Sequence, residues 1–308
     1  MSRPETLDVP DRKVPDLATL RDLCQGEKVR QDRRLWYVLS RRVSIRITWL
    51  LLHTGVTANQ VTLLSLLLTV AGAVLLAMPS AAVSLGGAAA LVVHYFLDKV
   101  DGEIARFRGV YSLDGVYMDE LSHTFAYAGI FAGVGLHLAA HAETPAQTLA
   151  ALAPAMIGAL AMVMIRQNKS MGALLYAQYG LEQPQILPPA EPSGPASLLS
   201  REAVRRSRRG EGGGPGGSLA ARAVSAVRDL VLVISEFTIL LLLVIIGLAI
   251  EWATGDAAFL GLVLQAQALL QVAVLLALIW INHSFNVEAE CRRLNELARR
   301  RAQESRGG

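Results

Sequence analysis

The sequence predicts an all-α integral membrane bundle of six transmembrane helices, preceded by an amphipathic helix at the membrane surface. Three observations carry this. The chain of 308 residues is 53% hydrophobic and only 18% charged, with a mean hydropathy of +0.39, a more apolar balance than that of an ordinary soluble domain. Its charge is segregated: the 29 Lys and Arg residues fall only within 1–46, 99–108, 166–228 and 292–306, leaving 47–98, 109–165 and 229–291 without a Lys or Arg. Those three segments hold apolar runs of about 20 residues, the length a helix needs to cross hydrocarbon.

Residues 1–58 are expected to form a cytoplasmic N-terminal segment. Its opening, "MSRPETLDVPDRKVPDLATL", is charged and has no apolar core, so it does not read as a secretory signal. Further on, "RRLWYVLSRRVSIRITWLLLHTG" sets Arg33, Arg34, Arg41, Arg42 and Arg46 among Trp, Tyr, Leu and Ile. That is the pattern of a basic amphipathic helix lying in the headgroup layer.

A membrane domain over 59–286 follows, with spans predicted at 60–78, 82–106, 115–140, 147–170, 228–250 and 258–284. The connections "PSAA", "HAETPA" and "EWATGDAA" carry no Lys or Arg, so the positive-inside rule puts both termini and the 107–114 turn in the cytoplasm. Residues 181–218 are too rich in Pro, Gly and Arg to pack a core and are predicted to be a disordered cytoplasmic loop. Residues 287–308 form a basic cytoplasmic tail. The expected location is the inner or cell membrane of a bacterium.

The net charge of +3 and the pI near 9.0 follow from basic loops facing anionic lipid. The aromatic interleaving and regular basic stripe of a nucleic-acid binder are missing, so no nucleic-acid partner is expected. Cys24 falls in a basic block and Cys291 immediately precedes one, and both are read as free thiols.

The chemistry concentrates in "LDKVDGEIARFRGVYSLDGVYMDELSH", Leu97 to His123. Asp98 and Asp101 are three apart and share one face of the second span, and Asp119 and His123, four apart, share one face of the third. A short turn makes these helices antiparallel neighbours, so the two faces meet at one depth. Unpaired carboxylates there would repel and be costly to desolvate. Divalent cations remove both problems, and clustered hard oxygen ligands point to Mg²⁺ or Mn²⁺. Gly102, Ala105 and Gly115 are small enough to let a ligand approach the backbone, and Arg106 offers a planar donor fork suited to phosphate. Together these describe a site for a diphosphate-linked substrate.

The order "DKVDGEIAR", "FRGVYSLD", Gly115, "VYM", Asp119, "ELS", His123 resembles the signature of the CDP-alcohol phosphotransferase (phosphatidyltransferase) family, with every spacing matched. Upstream, "TANQVTLLSLLL" is similar to that family's first-span entry, with Ala58 where proline is usual. The resemblance implies that Asp98, Asp101 and Asp119 bind a pair of metal ions. It implies that Asp101, Gly102, Ala105, Arg106, Gly115, Asn59 and Thr62 line the nucleotide site. The reaction implied is attack of an acceptor alcohol on the phosphate nearest the lipid of CDP-diacylglycerol or a similar CDP-linked donor. CMP is released, as a step of phospholipid biosynthesis, by a homodimer. The sequence departs from the family at its fourth aspartate, which is His123 here. A histidine at that reach is expected to take the hydroxyl proton.

Arg166 and Lys169 end the fourth span and Glu236 opens the fifth; they are candidates for binding a small, phosphorylated or neutral, alcohol acceptor. His94 reads as structural. Gly129 and Gly133 form a G-x-x-x-G that serves either a homodimer or internal packing. The competing readings are a catalytically inactive relative and a divalent-cation or solute transporter. The lack of an internal repeat counts against the transporter.

Overall fold

A computed structural model describes residues 13–31, 35–110, 112–175 and 236–281, and among these every regular element is α-helical. In chain order the helices are α1 (Leu17–Gln31), α2 (Leu35–Leu52), α3 (Ala58–Leu76), α4 (Ala81–Arg108), α5 (Leu113–Ala140), α6 (Pro145–Leu175), α7 (Phe237–Thr254) and α8 (Ala258–Ile281). The six predicted spans correspond to α3 through α8. Residues 228–235 of the fifth predicted span, residues 282–284 of the sixth, the 181–218 segment, the tail and Cys291 lie outside the described residues.

Five of the described helices, α3, α4, α6, α7 and α8, are long and apolar enough to cross a membrane. Helix α5 is 28 residues long but is not among them, because Asp114, Asp119, Glu120, His123 and His137 dilute its apolar run. The outer faces are apolar: Leu64, Leu67 and Val74 of α3, Met156 and Leu160 of α6, and Leu262, Leu269 and Leu276 of α8 are all exposed. In water such a surface would aggregate, whereas in lipid it is the solvated face. The protein is a multi-pass membrane protein.

Local signals set the helix ends. Thr57 caps α3 in a reciprocal capping box: its hydroxyl accepts from the Gln60 N–H while the Gln60 side chain accepts from the Thr57 N–H. Gly109 ends α4 with φ +67, a left-handed conformation that suits glycine. Ser112 caps α5 by accepting from the Gly115 N–H at 2.9 Å.

Helices α3 and α4 pack along their length because glycines let their backbones touch. A Cβ on Gly87 would lie 2.5 Å from the Leu76 nitrogen and 2.6 Å from the Gly72 carbonyl oxygen. The G-x-x-x-G of α5 is used in the same way inside the bundle. Gly129 abuts Ala73, and Gly133 abuts Leu76 and the Ala73 carbonyl, so both glycines face α3. The central core joins Leu91 of α4, Phe131 and Val134 of α5, Met162 of α6, Val244 of α7 and Leu264 of α8.

A second core holds the N-terminal helices against the charged end of α4: Leu20 and Cys24 of α1 and Ile45 of α2 pack with Val100, Ile104 and Phe107. Helix α2 was expected to turn its arginines toward headgroups. Arg42 and Arg46 are exposed, but Arg41 is buried against α4.

Candidate functional site

Two helices build the site. Asp98 lies on α4, ten residues before its end, and Asp119 and His123 lie one turn apart near the start of α5. Their ligand atoms all fall within 4.8 Å of one another. His123 Nε2 is 2.9 Å from Asp98 Oδ1 and 3.6 Å from Asp119 Oδ1. The side chains of Asp98, Asp119 and His123 remain 20%, 43% and 28% exposed, so the group opens to a ligand. Lys99 lies behind it, with Nζ 3.9 Å from Asp98, 3.1 Å above the Tyr95 ring and bonded to the Tyr95 carbonyl.

Asp101, expected to join this group, is not part of it. Its Oδ2 accepts from the Thr62 hydroxyl at 2.7 Å, and its other oxygen accepts from the Gly102 N–H. The three-residue step that puts Asp98 and Asp101 on one face turns the second carboxylate toward α3, where Thr62 holds it. Asn59 and Thr62 therefore reach the motif from α3. Ser112 donates to Asn59 Oδ1 at 3.2 Å, and a Cβ on Gly115 would sit 2.8 Å from that same oxygen. Gly115 admits the Asn59 side chain, where the sequence had suggested room for a ligand.

Arg106 lies on the far side of the same helix turn. Its Nε donates to the Cys24 carbonyl at 2.7 Å, tying α4 to α1, and its guanidinium covers Gly102, where a Cβ would be 3.1 Å from Nη1. Ala105 is half-buried beside it. Arg166 of α6 pairs with Glu120 at 2.7 and 3.2 Å and lies 5.5 Å over the Tyr127 ring. Glu236 is the N-cap residue of α7 and makes no side-chain capping bond. The Lys169 side chain lies outside the described residues.

Beneath the group, His94 is buried. Its Nδ1 meets the Ser65 hydroxyl at 2.7 Å, and its ring packs edge-on to His123 and Phe237.

Sequence reasoning missed the buttress on the opposite face of α4. Glu103 is fully buried, and its Oε1 accepts from Gln25 (2.8 Å), Arg41 (3.0 Å) and Ser44 (2.7 Å), its Oε2 from Thr48 (2.6 Å). Cys24 lies beside it, with Sγ 3.5 Å from the Glu103 carbonyl, and burial pushes the Cys24 thiol up to about 11. An acid facing the period of Ser44 and Thr48 across two helices is the one signal that could have suggested this network.

A multi-pass helical bundle carrying a carboxylate–histidine group at one end defines a membrane protein with a candidate divalent-cation site. The model of the CDP-alcohol phosphatidyltransferase family matches residues 55–181, which cover α3 to α6 and the whole motif, so this segment is similar to that family. It is a transferase family, whose members transfer a phosphoalcohol group from a CDP-alcohol and use a divalent metal. No curated protein matches the chain.

Proposed function

We propose that the protein transfers a phosphatidyl or other phosphoalcohol group from CDP-diacylglycerol, or a similar CDP-linked donor, to a small alcohol in phospholipid biosynthesis. The observation that carries this is the convergence of Asp98, Asp119 and His123 within 4.8 Å. In the reaction the acceptor oxygen forms a bond to the phosphorus nearest the lipid, the bond from that phosphorus to the bridging anhydride oxygen breaks, and CMP leaves. The hydroxyl proton passes to His123.

The donor set fits a hard divalent ion. Asp98 and Asp119 supply oxygens, His123 lies between them, and Asp101 stands one turn away as a further carboxylate for the second of two Mg²⁺ or Mn²⁺ ions. When bound, such ions neutralise charge on the phosphoryl oxygens. For the nucleotide we assign Asp101, held by Thr62, with Gly102, Ala105, Arg106 and Asn59, while Gly115 serves by seating the Asn59 side chain. For the acceptor we assign Arg166 and Glu236, and Lys169 from its place in the sequence. Arg166 is only 13% exposed beside the site-bearing start of α5, which suits a phosphorylated acceptor. Basic residues at this end support a cytoplasmic site and cytoplasmic termini. We assign a homodimer as the working assembly.

One specific contact favours a second reading. His123 Nε2 lies 2.9 Å from Asp98, so its imidazolium form would take the place of a metal ion, as in an inactive relative.

Membranes containing the protein, incubated with radiolabelled CDP-diacylglycerol, a divalent ion and a panel of glycerol phosphate, inositol phosphate, serine and amino alcohols, separate the readings. The transferase forms CMP and a labelled lipid with one acceptor class. No CMP with any acceptor would favour the inactive relative.

A further inference from the structure

The end of the bundle opposite the acidic site carries another group of titratable side chains, which the transfer reaction does not use. His137 lies four turns beyond His123 on α5, about 20 Å along the axis. It meets His141 at the end of α5 and Glu251 near the end of α7, and the ligand atoms of all three fall within 4.8 Å of one another. His137 and Glu251 are buried, whereas the His141 side chain is 47% exposed and opens the group to solvent.

A contact from outside the group fixes the His137 ring. Its Nδ1 lies 2.6 Å from the carbonyl oxygen of Met78, in the connection between α3 and α4. A carbonyl only accepts, so Nδ1 carries the proton, and in a neutral ring Nε2 then presents a lone pair. That nitrogen lies 2.8 and 3.0 Å from the two carboxylate oxygens of Glu251. Atoms that all offer electron pairs do not sit so close in a buried pocket unless a cation joins them. A histidine whose Nδ1–H is held by a carbonyl while Nε2 points into a cluster has the orientation that proteins give to metal-binding imidazoles.

We propose that His137, His141 and Glu251 bind one divalent transition-metal ion of the zinc class, at the bundle end opposite the acidic site. Two imidazoles and a carboxylate form a donor set for Zn²⁺, whereas the aspartates at the other end suit harder ions. His141 Nε2, 3.6 Å from Glu251 Oε1 and 2.8 Å from the Pro79 carbonyl, exchanges that carbonyl for the ion. The fourth position is left to water at the open side. The ion braces the ends of α5 and α7, and the Met78 carbonyl adds the α3–α4 connection to the brace.

The test uses the full chain purified in detergent, stripped with a chelator and titrated with Co²⁺, whose visible absorption reports imidazole ligation, then with Zn²⁺. The expected result is one equivalent of Co²⁺ absorption that Zn²⁺ displaces, with a rise in Tm, and Asp98→Asn leaves this signal in place. His141→Ala changes only an exposed ligand and lowers Zn²⁺ affinity by at least about 10-fold; Glu251→Gln removes the absorption. Unchanged affinity in His141→Ala, or no uptake by the wild type, would overturn the proposal and leave a proton as the cation between His137 and Glu251. Should Glu251→Gln fail to fold, His141→Ala decides alone.

Discussion

Asp98 and Glu103 are acids on the same helix, little more than one turn apart, and their surroundings have opposite characters. Glu103 is sealed, with four donors from α1 and α2 filling its two oxygens and no water reaching it. Asp98 is left partly open, with a histidine and an aspartate of α5 beside it. A carboxylate whose acceptor capacity is filled by its own chain has none left for a ligand. One with an exposed edge and a second acid nearby retains it. The face of α4 toward α5 keeps carboxylate oxygens open to a ligand, and the face toward α1 and α2 anchors the helix that carries them.

The contrast is broken most strongly at His123. His123→Ala should lower the rate of CMP release on the order of 10²–10⁴-fold if one general base is removed. A base must be neutral to accept a proton, so wild-type activity should fall as pH drops and His123 is protonated. That acidic limb should vanish in the variant, while His123→Asp, which restores the family pattern, should retain activity. Full rate with an unchanged limb in His123→Ala would remove the histidine from the mechanism.

Next in size is the sealed acid. Glu103→Leu leaves Arg41 buried without its carboxylate and should destabilise the detergent-solubilised protein by about 3–5 kcal/mol. Removing Glu120 from its more exposed pair with Arg166 should cost about 0–1 kcal/mol. Equal shifts in thermal midpoint would mean that the Glu103 network is not the buttress described. Gly87→Ala should fall between them, at about 1–3 kcal/mol, because its methyl group would meet the α3 backbone; an unchanged midpoint would show that the α3–α4 contact is slack.

The smallest effect is at Cys24. With its thiol pushed up to about 11 by burial, little thiolate forms near neutral pH, and alkylation of the folded protein should be slow and quicken only as pH rises. The unfolded chain loses that proton earlier, so this group's contribution to stability should decline above about pH 8.5. Rapid labelling of Cys24 at pH 7 in folded protein would contradict its burial beside Glu103.

The same two acids show what was legible in the sequence. Asp98, Asp119 and His123 sit within one hairpin, at spacings that helix geometry converts into shared faces, and the apolar runs and basic blocks place the helices that carry them. The partners of Glu103 come from Gln25, Arg41, Ser44 and Thr48, on helices whose docking depends on tertiary packing, so no local period reveals them. The turn of Asp101 toward Thr62 was hidden for the same reason, since a shared face does not fix which neighbour a side chain meets. Glu251 is the extreme case. It is an acid in an apolar run whose partners, His137 and His141, lie two helices earlier.

The central claim, that the open acid and not acidity in general carries the reaction, is tested most directly by divalent-dependent CMP release measured side by side for Asp98→Asn and Asp114→Asn. Asp114 lies on the first turn of α5 and is exposed. The account predicts that Asp98→Asn loses the metal-dependent release and that Asp114→Asn keeps the wild-type rate. Equal rates in the two variants, whether both retained or both lost, would contradict it.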